Sequence, residues 1–122
     1  MLVSIESLLE ELVLSVDGAT GAVLMEADGE AVRWHPEPEG TRLRLRGAYV
    51  AVVMQSSRVA ATRAKIGAAN CLVLAYEGSS FVVQEVVDDC FVALELAPSS
   101  NIGQGIFRLK PIVAKLRAEI AP

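Results

Sequence analysis

The sequence is poor in the residues that build metal centres and nucleophilic sites. It contains one histidine, His35, and two cysteines among 122 residues. Zinc takes three or four protein ligands, and a nucleophilic thiol needs a base beside it. Cys71 and Cys90 are predicted to begin two strands with a third strand between them, about 9–10 Å apart, which is too far for a disulfide. We therefore predict no catalytic residue, no metal and no cofactor, and two reduced structural cysteines.

Long apolar runs and an excess of basic residues are also missing. The longest strongly apolar stretch, residues 48–54, is much shorter than the ~20 residues that span a bilayer. No basic segment followed by an apolar one opens the chain, so we expect a cytoplasmic protein without a membrane partner. The net charge of −4 and the pI near 5.0 argue against a nucleic-acid partner. Gly103 and Gly105 flank Gln104, but neither a dinucleotide loop nor a P-loop is complete there.

What the chain does contain is apolar material for one domain. Hydrophobic residues make up 52% of it and the mean hydropathy is +0.42. A single domain of 122 residues can bury enough of this surface to fold without disulfides or metal. We predict one domain over residues 1–122.

Charge alternates in blocks along the sequence. Residues 1–39 contain nine acids and one base, whereas residues 40–75 contain six bases and no acid. Residues 76–97 are acidic again, and the remainder is basic. Blocks of this kind give a dipolar surface that can orient a charged partner. The basic block is the better functional lead, although solvated helix faces would account for many of the single charges.

Periodicity predicts eight elements in the order helix, strand, strand, helix, strand, strand, strand, helix. The helices cover residues 3–16, about 42–66, and 102–120, the last one capped near Ser99 or Ser100. The strands cover residues 21–27, 30–35, 70–76, 80–87 and 89–96. Asp28 and Gly29 favour a two-residue type I′ turn between the first two strands. Proline 111 falls inside the last helix and is expected to kink it.

The strand sequences predict how the layers are arranged. Residues 71–76 and 90–94 are apolar at nearly every position, and a strand that is apolar on both faces is covered on both faces. We therefore predict a three-layer α/β/α sandwich around a five-stranded, mainly antiparallel sheet.

The long central helix has more apolar surface than one sheet can cover. A single buried face needs an apolar stripe of only ~100°, but Leu43 and Val50 lie on one side while Tyr49 and Val52 lie on another. Trp34 stands on a strand followed by Pro36, which suggests a sheet edge. A two-fold dimer would bury both features. Packing of Trp34 and Tyr49 within one protomer is the alternative.

The complete pattern resembles the Roadblock family, named from a dynein light chain. The resemblance rests on the strand-turn-strand segment 21–32, the helix end 60–67 rich in small residues, the three-strand meander, and the segment 101–108 that opens the last helix. No single motif is diagnostic. The order and lengths of all eight elements, over essentially the whole chain, are what carry the resemblance.

The resemblance implies a protein that regulates a partner and does not itself catalyse a reaction. Roadblock domains are dimeric platforms for small Ras-like GTPases, and the bacterial MglB type stimulates its GTPase without inserting an arginine finger. Family members dimerise through the second strand and the long helix. In this chain the corresponding interface residues would be Val32, Trp34, Tyr49, Val52, Val53 and Val59. The basic block would supply the partner surface, with Arg44, Arg58, Arg63 and Lys65; none of these is expected to be catalytic.

The expected function is thus a homodimeric, non-catalytic regulator or scaffold that binds a small Ras-like GTPase, and stimulation of GTP hydrolysis and anchoring of the GTPase are its two alternative forms. Two other classes compete with it. A small-molecule sensor of similar shape would need a polar-lined cavity, which these Val- and Leu-rich strands do not favour. The second competing class is a dimerising adaptor that binds its partner regardless of the bound nucleotide. An enzyme is the weakest option because no nucleophile, base or metal constellation can be assembled.

Overall fold

The computed structural model describes residues 4–121. Its helices and strands, in chain order, are α1 (Ile5–Ser15), β1 (Ala19–Glu26), β2 (Ala31–His35), α2 (Gly40–Ala64), β3 (Leu72–Ala75), β4 (Ser80–Val87), β5 (Cys90–Leu96) and α3 (Ile102–Ile120). A 3-10 turn, Glu37–Glu39, leads into α2. The predicted order of elements is confirmed. Val3, which the first helix was also predicted to include, lies outside the described residues.

The five strands form one antiparallel sheet in the order β2-β1-β5-β4-β3. The first and last strands of the sequence, β1 and β5, therefore pair at the centre, and β2 and β3 form the two edges. The middle strand of the sheet, β5, is buried from Phe91 to Leu96. The predicted cover on both faces is confirmed for this central strand.

Alternate residues of the sheet feed two separate apolar cores. Ala22, Leu24 and Leu94 face α1 and α3, whose leucines complete the first core. Val23, Met25 and their neighbours on the other face pack against Leu43, Val50 and Met54 of α2 in the second. The period of two along each strand sends neighbouring side chains to opposite faces. The result is the predicted α/β/α sandwich, with α1 and α3 on one side and α2 alone on the other.

Edge strand β3 departs from the prediction. Its alternating side chains Leu72 and Leu74 pack against the α2 core, but Val73 and Ala75 are exposed on the opposite face. The expectation that this apolar strand is covered on both faces is wrong for the single chain. α3 lies mainly against β4, and its cover does not extend to β3.

Local details of the turns and caps also differ. Gly29 has φ +92° while Asp28 stays at negative φ, so the hairpin is not the predicted type I′ turn. Instead Gly29 donates to the carbonyl of Glu26 and Glu26 donates to Glu30, which gives a three-residue loop with glycine in the left-handed position. Asn101, rather than Ser99 or Ser100, caps α3 by accepting from the Gln104 amide.

The start of α2 depends on a close approach between backbone and ring. A Cβ on Gly40 would lie 2.5 Å from Trp34 Nε1. The absent side chain therefore lets the first turn of α2 pack directly on the indole ring at the end of β2. α2 begins at Gly40, two residues before the predicted start near residue 42, so Thr41 lies inside the helix.

Leu94→Ala tests the first core. Leu94 is fully buried in the central strand, so truncation removes apolar contact and leaves a cavity. We expect a loss of about 2–5 kcal/mol in the free energy of unfolding, measured by urea denaturation. Leu14→Ala, the same change at a side chain that is 76% exposed, is the control and should stay within about 0.5 kcal/mol of wild type. Equal effects of the two changes would contradict this packing.

Candidate functional site: the outer side of the long helix

Helix α2 is fixed to the sheet at its first half by a buried carboxylate. Glu95 on β5 is 2% exposed. Its two carboxylate oxygens accept from Arg42 and Arg46 of α2, each at 2.9 Å, and one also accepts from the Thr20 hydroxyl at 2.6 Å. Burial alone raises the pKa of Glu95, but the hydrogen bonds from Thr20, Arg46 and Arg42 outweigh it and hold that pKa below its ordinary value. Nothing in the local sequence distinguishes this glutamate from a surface one.

A second set of polar contacts holds the later part of α2. Arg58 donates to Glu85 at 2.6 Å and to Asp89 at 3.1 Å, and its guanidinium carbon lies 4.9 Å from the Phe91 ring centroid. Gln55 donates to the carbonyl of Ala27 at 3.3 Å. Arg58, which the sequence assigned to a partner surface, is thus engaged within its own chain.

The outer side of α2 is apolar and open to solvent. Leu45, Tyr49, Val52 and Val59 are 59%, 68%, 62% and 52% exposed. They recur at steps of four and three residues, with exposed Ser56 in the series. At 100° per residue this ridge lies about 180° around the helix from the sheet-facing side chains. The residues Leu45, Tyr49, Val52, Ser56 and Val59 are called the outer ridge below.

A groove separates one flank of α2 from the β3 edge. Tyr49 and Val53 on the helix face Leu74 and Tyr76 across a cavity of about 350 Å³. Tyr76 is exposed, and its amide donates to Ser79 on the β4 side at 3.0 Å. Since bonded pairs alternate in antiparallel strands, the backbone groups of Val73 and Ala75 point away from β4. The outer ridge, this groove and an open strand edge are therefore adjacent.

The other sheet edge is better covered. Val32 and Trp34 of β2 are half-buried, with Val32 packed against the first core and Trp34 against the second. Both α1 and α2 contact this strand. The Trp34 indole lies beneath the Arg44 guanidinium, 5.1 Å from ring centroid to carbon, and its buried N–H has no partner among residues 4–121. Trp34 thus packs in part within its own protomer, as the alternative interpretation expected.

The remaining predicted partner residues are exposed but do not form one cluster. Arg44 lies at the first half of α2, whereas Arg63 and Lys65 lie at its end. Neither Arg63 nor Lys65 forms an ion pair within residues 4–121. Lys65 ends the helix in the left-handed conformation, at φ +57°. The carboxyl end of α2 thus carries two exposed positive charges, Arg63 and Lys65.

Acidic residues that the sequence analysis did not single out gather at the β1–β2 turn. Carboxylate oxygens of Glu26, Asp28 and Glu30 lie within 4.8 Å of one another, and all three residues are exposed. They form the one group in residues 4–121 spaced to share a metal ion, but exposed acids often lie this close without one. We assign no metal to them. Cys71 and Cys90 are free thiols, and burial raises the pKa of both.

The sequence matches no family model and no curated protein. Solved structures do match it. MglC from Myxococcus xanthus is 32% identical, with a TM-score of 0.69 over 96% of this chain and 99% of that one. A Roadblock/LC7 domain from Streptomyces avermitilis is 18% identical with a TM-score of 0.85, over 96% and 98% of the two chains. Myxococcus xanthus MglB is 11% identical with a TM-score of 0.83, over 95% and 94%.

This chain belongs to the Roadblock/MglB-like family. Its Roadblock fold is the one expected from the order of elements. The neighbours also include an MglB described with a tetrameric arrangement, 17% identical to this chain. Within the described residues of this Roadblock domain, none of the helices has the length and apolar character needed to cross a membrane.

Glu95→Gln tests the buried anchor of this Roadblock domain. The pKa of Glu95 is lower in the folded state, so ionisation of Glu95 stabilises the fold above the ordinary carboxyl range and that contribution disappears as the pH falls through the folded pKa. We expect Glu95→Gln to cost about 1–3 kcal/mol near pH 7, because Arg42 and Arg46 are partly exposed and can be rehydrated.

The pH dependence of the free energy of unfolding distinguishes an ionic role of Glu95 from a contribution by packing alone. The difference between wild type and Glu95→Gln in the free energy of unfolding should shrink as the pH is lowered past the folded pKa of Glu95. Glu77→Gln, on an exposed turn, is the matched control and should behave like wild type throughout. A cost that stays constant across the same pH range would contradict the ionic role.

Proposed function

We propose that this protein is a homodimeric, non-catalytic regulator that binds a small Ras-like GTPase and stimulates its GTP hydrolysis. The observation that carries the proposal is the exposed outer ridge of α2 in a domain whose solved neighbours include MglB and MglC. These neighbours support a regulatory or adaptor role. The GTPase itself, and the stimulation of hydrolysis, come from the family resemblance and are tested below.

The chemistry of the outer ridge supports self-association. Between Arg46 and Arg58 the helix carries no charged residue. The arginines that flank this stretch turn towards Glu95, Glu85 and Asp89 on the sheet side. An uncharged, apolar ridge can pack against its own copy without repulsion, as a two-fold interface requires. Tyr49, Val52, Val53 and Val59 remain the proposed contributions of α2.

Of the two sheet edges, the geometry favours β3 for joining the protomers. Val73 and Ala75 leave backbone groups unpaired, and the groove between β3 and α2 adjoins the outer ridge. One partner copy could therefore cover the ridge, the groove and the strand edge at once. The predicted contacts through Val32 and Trp34 of β2 remain the alternative, with both faces of that strand already flanked by helices.

Tyr49→Glu combined with Val52→Glu tests the dimer. Burying two carboxylates in an apolar interface is strongly unfavourable, so the double variant should be a monomer while retaining its fold. Sedimentation equilibrium measures the mass, which should be twice 13.0 kDa for wild type and 13.0 kDa for the variant. Leu14→Glu, which charges an exposed apolar side chain on α1, is the control and should remain dimeric.

Ala75→Pro then tests whether the β3 edge of the sheet takes part in the dimer interface. Proline removes an amide that points away from β4, so the single domain loses no sheet hydrogen bond there. Weaker dimerisation with an unchanged circular dichroism spectrum would place β3 at the interface. An unchanged dimer would favour β2, and a wild-type chain that sediments as a monomer would refute the homodimer altogether.

Reversing the free charges at the end of α2 tests the partner surface. Arg63→Glu with Lys65→Glu should weaken GTPase binding by about tenfold or more, since like charges oppose a complementary partner. The assay is a tagged pull-down from native-source lysate with GDP or a non-hydrolysable GTP analogue, read by mass spectrometry. Arg58 is left unchanged in this test, because reversing its charge would break its ion pairs with Glu85 and Asp89 inside the domain.

The nucleotide dependence distinguishes the candidate functions. A GTPase recovered preferentially with the GTP analogue supports the regulator, and a hydrolysis assay on that pair tests stimulation. Equal recovery in both states would indicate a nucleotide-indifferent adaptor. Absence of any GTPase would refute the proposed function. Lys115→Glu on α3 is the control for added negative charge away from α2; its ion pair with Glu11 is exposed and contributes little.

A further inference from the structure

The face of β3 that points away from α2 is an uncovered part of the sheet. Val73 and Ala75 are exposed on this face, Val73 by 40%. Val73 lies opposite Val82 in the sheet, and a Cβ on Gly105 of α3 would lie 3.6 Å from the Val82 side chain. The first turns of α3 therefore stand beside Val73 without covering it. The side chains of Val73 and Ala75 are called the open floor below.

The flank of α3 beside the open floor is basic. Lys115 marks the opposite flank, because it pairs with Glu11 of α1. Lys110 is about 140° around the helix from Lys115 and thus lies on the β3 side. Burial raises the pKa of the Cys71 thiol and the charge of Lys110 opposes that rise, as expected for a lysine near the start of β3. Neither Lys110 nor Arg117 forms an ion pair within residues 4–121.

Phe107 and Ala114 complete this flank. Both are exposed, Phe107 by 67%, and they lie about 60° and 40° around the helix from Lys110. The Arg108 guanidinium carbon lies 5.8 Å from the centroid of the Phe107 ring. Apolar contact area and positive charge are therefore available side by side on α3.

The open floor is not part of the proposed dimer contacts. The outer ridge and the groove at Tyr49 lie on the α2 side of the sheet, whereas Val73 and Ala75 point to the α3 side. Pairing of β3 with a second copy uses backbone groups and leaves these side chains where they are. In a dimer joined at β3, the two open floors would meet at the two-fold axis.

The two α3 helices are too far apart to close over the joined floor. The β4 strands of the two protomers would be three strand spacings apart, about 14 Å. Because α3 packs mainly on β4, the two α3 helices would have a similar separation, whereas helices in direct contact are about 8–10 Å apart. The dimer therefore contains a cleft with a floor of Val73 and Ala75 and a wall with Lys110 on each side. It is called the two-fold cleft below.

An amphipathic helix suits the two-fold cleft better than an extended segment does. An extended segment would place its backbone N–H and C=O groups against side chains that offer them no partners, whereas a helix satisfies its own. Large aliphatic side chains along one stripe of a helix can reach between the two α3 helices to the floor. Carboxylates on both borders of that stripe would face Lys110 of each protomer, where the opposite charges attract.

We propose that the dimer joined at β3 binds one acidic amphipathic helix of a second partner protein in the two-fold cleft, with aliphatic side chains on Val73 and carboxylates against Lys110 of both protomers. This inference rests on the proposed dimer and adds a docking site on the layer opposite to α2. A cleft on a two-fold axis accepts one helix per dimer. Arg63 and Lys65 lie on the other layer, so the helix and the GTPase bind at the same time.

The probe is a synthetic peptide of about 18 residues, five helical turns, with a leucine stripe bordered on both sides by glutamate. A second peptide carries lysine in place of each glutamate. Isothermal titration calorimetry on the whole chain should give one acidic peptide per dimer. The acidic peptide should bind about tenfold more tightly than the lysine peptide, a difference of ~1.4 kcal/mol.

Lys110→Glu reverses the charge of both walls. It should weaken binding of the acidic peptide by about tenfold and strengthen binding of the lysine peptide, an exchange that loss of folding cannot produce. Lys115→Glu is the matched control on the other flank of α3 and should bind both peptides within about twofold of wild type. Phe107→Ala should weaken binding of both peptides, whereas Leu14→Ala, on the same layer, should not.

The outcomes separate the two-fold cleft from the proposed function. A wild-type dimer that binds neither peptide, or both equally, overturns the docking site while the regulator stands. Two peptides per dimer, or a dimer that Ala75→Pro leaves unchanged, overturns it as well. Displacement of the GTPase by the acidic peptide would contradict a second partner. A wild-type chain that sediments as a monomer refutes the proposed dimer, and the cleft fails with it.

Discussion

A sheet that is apolar on both faces has to be covered twice, and this constraint organises the molecule. One face is closed by α1 and α3 together, which share a core of leucines with β1, β4 and β5. The other face is closed by α2 alone. On the first face, however, the cover by α3 does not extend to β3, so Val73 and Ala75 stay exposed at this edge. The incomplete layer is where the molecule can accept a partner.

The attachment of α2 explains how its outer side can remain apolar. An ordinary surface helix puts its charges outward and its apolar stripe inward. Here Arg42, Arg46 and Arg58 reach sideways and down to carboxylates on β4, β5 and their connecting turn. These ion pairs hold the helix to the sheet. Because the arginines bind carboxylates of the sheet, they do not place their charges on the outer ridge. Glu95 is central because it receives two of these arginines at a buried position.

The same arrangement changes the electrostatic character of the proposed partner surface. Along the sequence, residues 40–75 carry only basic charges. In space, three of the five arginines in that block are neutralised by acids from other blocks, and the acidic β1–β2 turn is brought against the helix flank. Where a basic helix packs on acidic strands, the charges pair with each other. The blocks of charge along the sequence then do not show which charges face the solvent. Arg44, Arg63 and Lys65 form no such ion pair within residues 4–121.

The sequence by itself determined the order of elements, because periods of 2 and 3.6 with turn residues between them are local signals. It also predicted cover on both faces for the two most apolar strands, and this prediction holds for β5 but not for β3. It also indicated that α2 has surplus apolar surface. Each of these properties follows from residues that are neighbours along the chain.

Only the tertiary structure decided which strand lies at an edge and which glutamate is buried. Strands β3 and β5 read alike, but β5 pairs on both sides and β3 on one, a difference of topology that no local pattern encodes. Glu95 differs from exposed glutamates only because β5 is central and Arg42 and Arg46 project onto it from a helix about fifty residues earlier. Pairing between distant segments sets these environments, and with them the surfaces left open for a partner.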